Sequence, residues 1–136
     1  MPVRINLNQH PNGADRFGAV WTPTVLVVDA AGTEHYRLEG YLPAPELLEQ
    51  LELGLGHASF ASKKWPEAQE HYENVLRMFP HGFSAPEALY WAGVSRYKAS
   101  GNPQALAETA KQFETRFQDS IWAKKASVWS SAAAKA

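Results

Sequence analysis

The hydrophobic pattern of the chain changes its period near Pro45, and this change separates a β-rich part from a helical part. Apolar and polar residues alternate over residues 2–7, which predicts a half-buried strand. Residues 24–29 form an unbroken β-branched and aliphatic run, which predicts a strand covered on both faces. Residues 34–41 are more polar and predict a strand at the edge of the sheet.

Turn residues punctuate this first part. Residues 14–18 are expected to form one short helical turn that Gly18 ends. Ala30, Ala31 and Gly32 predict a hairpin-like turn, in which Gly32 can supply a positive φ. The pattern therefore predicts a strand, a helical turn and a pair of strands joined by a tight turn.

Beyond Pro45, apolar residues recur at three- and four-residue steps, which predicts five helices. The first is broken by residues 64–66, and the next three cover residues 66–79, 86–100 and 103–117. Asp119 or Ser120 is expected to cap the fifth, and the tail over residues 130–136 either continues it or frays. Three apolar stripes are expected to face the core: Leu48, Leu51, Leu55, Ala58 and Ser62 on the first helix; Ala68, Tyr72, Val75, Leu76 and Phe79 on the second; Trp122, Ala126 and Trp129 on the fifth.

The helical part repeats itself. Three pairs of residues are separated by 37 positions: Gly56 with Gly93, Phe60 with Tyr97, and Ala68 with Ala105. Self-similarity at this period is typical of stacked helix pairs. Since only about two units exist, extra burial must come from the N-terminal part or from another chain, and residues 121–129 are expected to cap the array.

The first unit resembles a tetratricopeptide repeat, because Leu55-Gly56 is followed by Ala68, Tyr72 and Pro80 at matching offsets. The second unit resembles it less, since Thr109 stands where the aromatic residue belongs. In such arrays the first helix of each unit lines the concave, peptide-binding side. The resemblance thus implies a binding groove that includes Trp91 and Arg96, whereas Tyr90 and Tyr97 are expected to pack in the core.

The segment Trp21-Thr22-Pro23-Thr24 is followed by an aliphatic strand, an Asp-x-x-Gly turn, and Gly40-Tyr41 ahead of a helix. By this order of motifs, residues 2–53 resemble the C-terminal half of a thioredoxin-like domain. The resemblance implies that the Thr22–Pro23 peptide bond is cis, that its exposed backbone pairs with an extended segment, and that Trp21 lies beside it.

The family's C-x-x-C half is absent from this chain, and so is the central strand that normally lies between residues 3–7 and residues 25–28. An uncovered hydrophobic strand edge is an association site. We therefore expect the edge at residues 25–28 to be covered. Either the two remaining strands pair directly, or a second copy supplies the pairing across a two-fold axis.

Composition narrows the chemistry further. The chain has no cysteine, which excludes a thiol nucleophile and a thiolate metal site within it. The five histidines match no metal-ligand spacing, and no catalytic dyad, nucleophile elbow or phosphate-binding glycine loop is present. We predict no catalytic, metal or cofactor-binding residue.

The net charge of −1 argues against nucleic-acid or membrane partners, and without a signal-like or membrane-spanning run the chain is expected in the cytoplasm.

We therefore predict an α+β fold, in which a partial thioredoxin-like β-sheet unit (residues 1–46) precedes an α-helical tetratricopeptide-like hairpin array with a capping helix (residues 47–136). The expected function is a non-catalytic protein–protein interaction or assembly module that binds a protein or peptide and self-associates as a homodimer through its incomplete sheet. The predicted partner-binding residues are Trp21, Thr22, Pro23, Trp91 and Arg96. One alternative is a fragment of a thioredoxin-family thiol–disulfide oxidoreductase, and a weaker one is a carrier or chaperone groove.

Overall fold

A computed structural model describes residues 1–133 of the chain, and the last three residues of the predicted tail lie outside the described part. Its elements in chain order are α1 (Asn12–Phe17), β1 (Thr24–Val28), β2 (Glu34–Glu39), α2 (Ala44–Ala61), α3 (Trp65–Met78), α4 (Ala85–Ser100), α5 (Gln104–Phe113), α6 (Ile121–Ala126) and α7 (Val128–Ala133). The predicted α+β fold class is confirmed, with a small sheet that precedes a helical part.

The two strands form an antiparallel hairpin in which Val25 lies opposite Leu38 and Val27 lies opposite Tyr36. The Asp29 side chain accepts hydrogen bonds from the backbone N–H groups of the turn residues Ala31 and Thr33, at 2.9 Å each. Gly32 has the positive φ that this turn requires. The predicted strands and turn are therefore confirmed.

The prediction of a strand over residues 2–7 is wrong. This segment takes no regular structure, and the side chain of Val3 is 74% exposed. The chain turns back at Asn6, whose carbonyl oxygen accepts hydrogen bonds from the N–H groups of Gln9 and His10. Alternation alone does not make a strand, because a strand also needs a partner for its backbone groups. Direct pairing of this segment with β1 is therefore not observed.

The expected cover on both faces of β1 is also not found. Helix α2 packs against the hairpin, and its Gly54 lies against the Tyr36 ring on the face that also carries Val27. No residue of β1 is fully buried, and Val28 is 43% exposed. On the N-terminal side, Arg37 donates hydrogen bonds to the Phe17 and Gly18 carbonyl oxygens at the end of α1.

Consecutive helices from α2 to α5 pack against each other, and α6 and α7 pack on α4 and α5. The first core cluster joins Leu53, Ala68, Tyr72, Val75, Ala88 and Ala92. The second joins Leu89, Phe113 and Ala126, with Trp122 and Trp129 packed against them. The predicted stripes on α3 and on α6–α7 are thus confirmed in the main.

The predicted stripe of α2 is wrong. Leu48 and Leu55 are exposed, whereas the buried positions of this helix are Glu49, Leu53, Gly54 and Gly56. Two of these are glycines that allow close approach, and one is a carboxylate with a buried hydrogen-bond partner. A count of hydrophobic residues cannot identify such a face, because small and polar residues build it.

The predicted ends of two helices need correction as well. Helix α5 ends at Phe113 rather than at Phe117, since the residues that follow form shorter turns and Phe117 has a positive φ. The fifth predicted helix is divided at Ser127 into α6 and α7. The predicted cap of this helix is confirmed at Ser120, because the Ser120 Oγ accepts a hydrogen bond from the Ala123 N–H at 3.1 Å.

Candidate functional site

The first candidate surface is the free edge of β1. In the described part of the chain, the sheet has two strands, so β1 is paired with β2 on one side only. No hydrogen bond from another described segment reaches the backbone of residues 25–28 on the other side. The backbone groups of this edge are consequently available to a further strand.

The loop Trp21–Pro23 leads directly into this edge. The Thr22–Pro23 peptide bond is cis. The Thr24 hydroxyl donates to the Trp21 carbonyl oxygen at 2.5 Å, and the Gly40 N–H donates to the Pro23 carbonyl oxygen at 2.8 Å, so both ends of the loop are held. Between these anchors, the backbone groups of Thr22 form no hydrogen bond with any described residue.

Exposed apolar side chains surround this loop. Trp21 is 68% exposed and Tyr41 is 78% exposed, and the Trp21 ring lies against Gly40. Val20 is exposed to a similar degree. We call the free edge of β1, the loop Trp21–Pro23, Val20 and Tyr41 the strand-edge surface. It combines unpaired backbone groups with a patch of aromatic surface, which is what an extended polypeptide can bind.

The second candidate surface is an aromatic stripe along α2, α3, α4, α6 and α7. Its members are half-buried, and ring contacts link them in the order Trp65, Phe60, Trp91 and Tyr90, with Trp122 and Trp129 both against Tyr90. The ring centroids of Phe60 and Trp91 are 5.1 Å apart, and those of Tyr90 and Trp129 are 4.7 Å apart. Lys125 Nζ lies 4.2 Å from the Trp122 ring centroid. The stripe thus offers aromatic faces and a cation.

A polar cluster at His57 connects the hairpin to the helices. A carboxylate can only accept, so His57 Nε2–H donates to Glu87 at 3.1 Å, and His57 Nδ1 shares a hydrogen bond of 2.7 Å with the Tyr72 hydroxyl. Burial raises the pKa of the Tyr72 phenol above its ordinary value, and the Glu87 charge adds to this shift. The His57 ring also contacts Tyr36 and Trp91.

A second polar chain fixes the start of α2. The Tyr36 hydroxyl donates to Gln50 Oε1 at 2.6 Å, Gln50 Nε2 donates to Ser84 Oγ at 2.5 Å, and the Ser84 N–H donates to Glu49 at 2.7 Å. Burial raises the pKa of the Tyr36 phenol to about 12, with added contributions from the charges of Glu87 and Glu49. Glu49 is only 4% exposed.

Except for Tyr72, which belongs to the predicted stripe of α3, these polar residues are not predicted by the hydrophobic pattern. The glycines are the only signal for them in the sequence: Gly82 lies against the Glu49 carboxylate, and Gly56 lies against the Tyr72 ring. An interior glycine in a helical pattern indicates a close approach, but it does not name the side chain that approaches.

Trp91 and Arg96 do not meet. Trp91 lies in the aromatic stripe, whereas Arg96 lies on the side of α4 that faces α5, where its Nη2 donates to the Thr109 Oγ1 at 3.0 Å. Trp21, Thr22 and Pro23 lie together at the strand edge. The five predicted residues are therefore distributed over three surfaces.

Two kinds of feature are missing from the described residues. No group of three or more His, Asp and Glu side chains is placed to hold a metal ion. No helix between residues 1 and 133 combines the length and the apolar character needed to cross a bilayer.

The comparisons with known proteins agree with the architecture of the first part. A family model described as a thioredoxin-like domain matches residues 4–54, which include α1, the hairpin and the first half of α2. No curated protein and no solved structure matches the chain.

Proposed function

We propose that this chain is a non-catalytic protein-interaction module that binds an extended segment along its strand-edge surface, and that a second copy of the chain is the partner. The observation that carries the proposal is the hairpin itself. Its apolar strand β1 has one neighbour, and the adjoining Thr22 backbone is unpaired within the described chain. Addition of a strand from a second copy would satisfy these groups and cover Trp21 and Tyr41.

The absence of cysteine supports a role without catalysis. Thiol–disulfide exchange needs a thiolate nucleophile, and the sequence contains no cysteine. The loop Trp21–Pro23 then serves as a surface for backbone pairing.

We further infer that α2–α3 and α4–α5 are two tetratricopeptide-like units and that α6–α7 cap them. Gly56 of α2 lies against Tyr72 of α3, and Gly93 of α4 lies against Thr109 of α5. Both members of the second contact follow those of the first by 37 positions, so the sequence repeat corresponds to a repeated contact. The array supplies the packed support on which the hairpin rests.

Association through the strand edge can be tested by sedimentation of the full chain over a range of concentrations. We expect a reversible dimer, and we expect Val28→Lys to weaken it at least about tenfold, because a lysine at a strand edge opposes pairing. Met78→Lys on α3 is the matched control, since Val28 is 43% and Met78 is 40% exposed. A chain that stays monomeric at every concentration, or equal weakening by both variants, would contradict the proposal.

The second candidate function is that of a thiol–disulfide oxidoreductase of which this chain is one piece. The match of residues 4–54 to the thioredoxin-like model favours it. The coding DNA upstream of Met1 distinguishes the two candidates. An open frame that encodes a strand and a C-x-x-C segment favours the enzyme, whereas a stop codon directly upstream favours the interaction module.

A further inference from the structure

A polar groove between α3, α4 and α5 holds a guanidinium group whose charge is not neutralised. The groove has a volume of about 400 Å³ and is open to solvent on one side. Apart from two alanines, the residues that line it are polar: Gln69, Arg96, Ser100, Asn102, Gln104 and Glu108. We propose that this groove binds a carboxylate group of a peptide, with Arg96 as the residue that recognises it.

The hydrogen bonds of Arg96 leave most of its donors unused. A guanidinium carries five N–H donors. Nη2 donates to Thr109 Oγ1 at 3.0 Å, whereas Nε is buried and has no partner among the described residues. No described carboxylate lies within ion-pair distance of Arg96, although Arg37 in the hairpin has two. A half-buried cation without an anion is costly, so a bound anion would stabilise it.

Thr109 makes the room for this group. Its hydroxyl donates to the Ala105 carbonyl oxygen at 2.8 Å and is therefore free to accept from Arg96. The corresponding residue of the first unit is Tyr72, whose ring fills the space against Gly56. The smaller threonine at the same place in the second unit lets the guanidinium enter between α4 and α5.

The chemistry of the groove favours a carboxylate with a single negative charge. The planar guanidinium fork matches a carboxylate, and the side-chain amides of Gln69, Asn102 and Gln104 can bond to neighbouring peptide groups. The carboxylate of Glu108 at the same groove disfavours a doubly charged ligand such as phosphate. This site is separate from the strand-edge surface, so it does not depend on the proposed dimer.

Titration of the ¹⁵N-labelled full chain, followed by NMR, tests the proposal with four probes. Two are tetrapeptides: one is blocked at both ends and carries a single glutamate, and one has only a free C-terminal carboxylate. The others are the blocked peptide with glutamine in place of glutamate, and inorganic phosphate. We expect shifts at Arg96 and its groove neighbours with one or both carboxylate peptides, and the stronger of the two identifies the source of the carboxylate. Equal binding of the glutamine peptide, or tighter binding of phosphate, would overturn the assignment.

Three variants separate recognition from folding. Arg96→Gln should weaken binding about 10- to 100-fold, as expected for a lost charge-assisted bond. Ala99→Glu adds a carboxylate from an exposed position on the groove and should abolish binding while Arg96 stays in place. Arg116→Gln, a half-buried arginine outside the groove, should bind like the unaltered chain. Unchanged binding by Ala99→Glu would refute the proposal even if Arg96→Gln failed to fold.

Discussion

The two helical hairpins α2–α3 and α4–α5 place a glycine at the same point of their first helix but meet it with different side chains. In the first hairpin, the buried Tyr72 ring packs on Gly56 and its hydroxyl bonds to His57. In the second, Thr109 lies on Gly93 and its hydroxyl bonds to Arg96. The same backbone contact is thus closed by an aromatic ring in one unit and by a threonine that accepts a hydrogen bond from a guanidinium in the other.

The difference shows how a repeat can keep its geometry while its chemistry changes. Glycine fixes the close approach of the two helices, since a Cβ at either position would collide with the facing residue. The facing residue is then free to vary. A large one completes the core, and a small one creates space for a side chain or a ligand.

The largest expected effect comes from adding a methyl group at these glycines. In Gly56→Ala the new Cβ would lie 2.6 Å from Tyr72 Cε1, and the ring is buried and held by His57. We expect a loss of about 2–3 kcal/mol in the free energy of unfolding, after the gain of about 1 kcal/mol in helix propensity. Gly93→Ala should cost at least as much, because the new Cβ would lie 2.8 Å from the Cβ of the buried Thr109, which rotation about χ1 cannot move.

Urea unfolding of both glycine variants measures these losses. Ala99→Gly on the exposed surface of α4 gives the propensity difference alone. If Gly93→Ala proves clearly the less destabilising, the view that the second contact is as tight as the first is incorrect.

Two substitutions that remove the hydroxyls of Thr109 and Tyr72 compare the hydrogen bonds that these groups form with Arg96 and His57. Thr109→Val keeps the shape of the side chain but removes the acceptor of the hydrogen bond that the Arg96 guanidinium donates. We therefore expect a loss of about 1.5–3 kcal/mol in the free energy of unfolding. Tyr72→Phe removes the hydrogen bond between the Tyr72 hydroxyl and the His57 ring, which should cost about 0.5–1.5 kcal/mol. Urea unfolding shows which variant loses more stability, and a larger loss for Tyr72→Phe would contradict this prediction.

A further effect is a loss of stability in alkali, to which Tyr72 of the first unit and Tyr36 of the hairpin contribute. In the unfolded chain a tyrosine loses its proton near pH 10, while burial raises the pKa of Tyr72 in the folded chain and that of Tyr36 to about 12. The unfolded state then binds fewer protons than the folded state, so stability is complete below pH 10 and falls as the pH rises toward 12.

Unfolding midpoints at about pH 8 and about pH 11 measure this fall, which is at most about 1.4 kcal/mol per pH unit for each tyrosine. Tyr72→Phe and Tyr36→Phe should each flatten it. Thr109→Val should leave it unchanged, because the second unit has no phenol at this place. Tyr41→Phe is a control on an exposed side chain. An equal slope in all four variants would mean that other groups cause the fall.

Much of the fold follows from local patterns. The unbroken run of β1, the turn at Gly32 and the alanine–aromatic stripe of α3 were all predictable, because each depends on neighbouring residues. The irregular structure of residues 2–7 was not predictable, because the segment has the alternating pattern of a strand and lacks only a partner strand. The buried face of α2 was missed because Glu49 and the glycines are recognised only by what packs against them.

The candidate sites, like the fold, were predictable only where they depend on neighbouring residues. The sequence indicated the loop Trp21–Pro23 and Trp91 as surface features, and each is at least partly exposed. It could not separate Trp91 from Arg96, since their surroundings come from different helices. The groove at Arg96 depends on Thr109, thirteen positions further along the chain.

By itself, the sequence determined that a hairpin precedes a helical part, the 37-residue interval and the lack of a cysteine thiol in this chain. Only the tertiary structure decided which side of α2 is buried, which edge of the sheet stays unpaired and where Arg96 lies. The physical reason is the range of the interactions. Period and turn propensity act between near neighbours, whereas burial and hydrogen-bond satisfaction depend on residues that the fold brings together from distant positions.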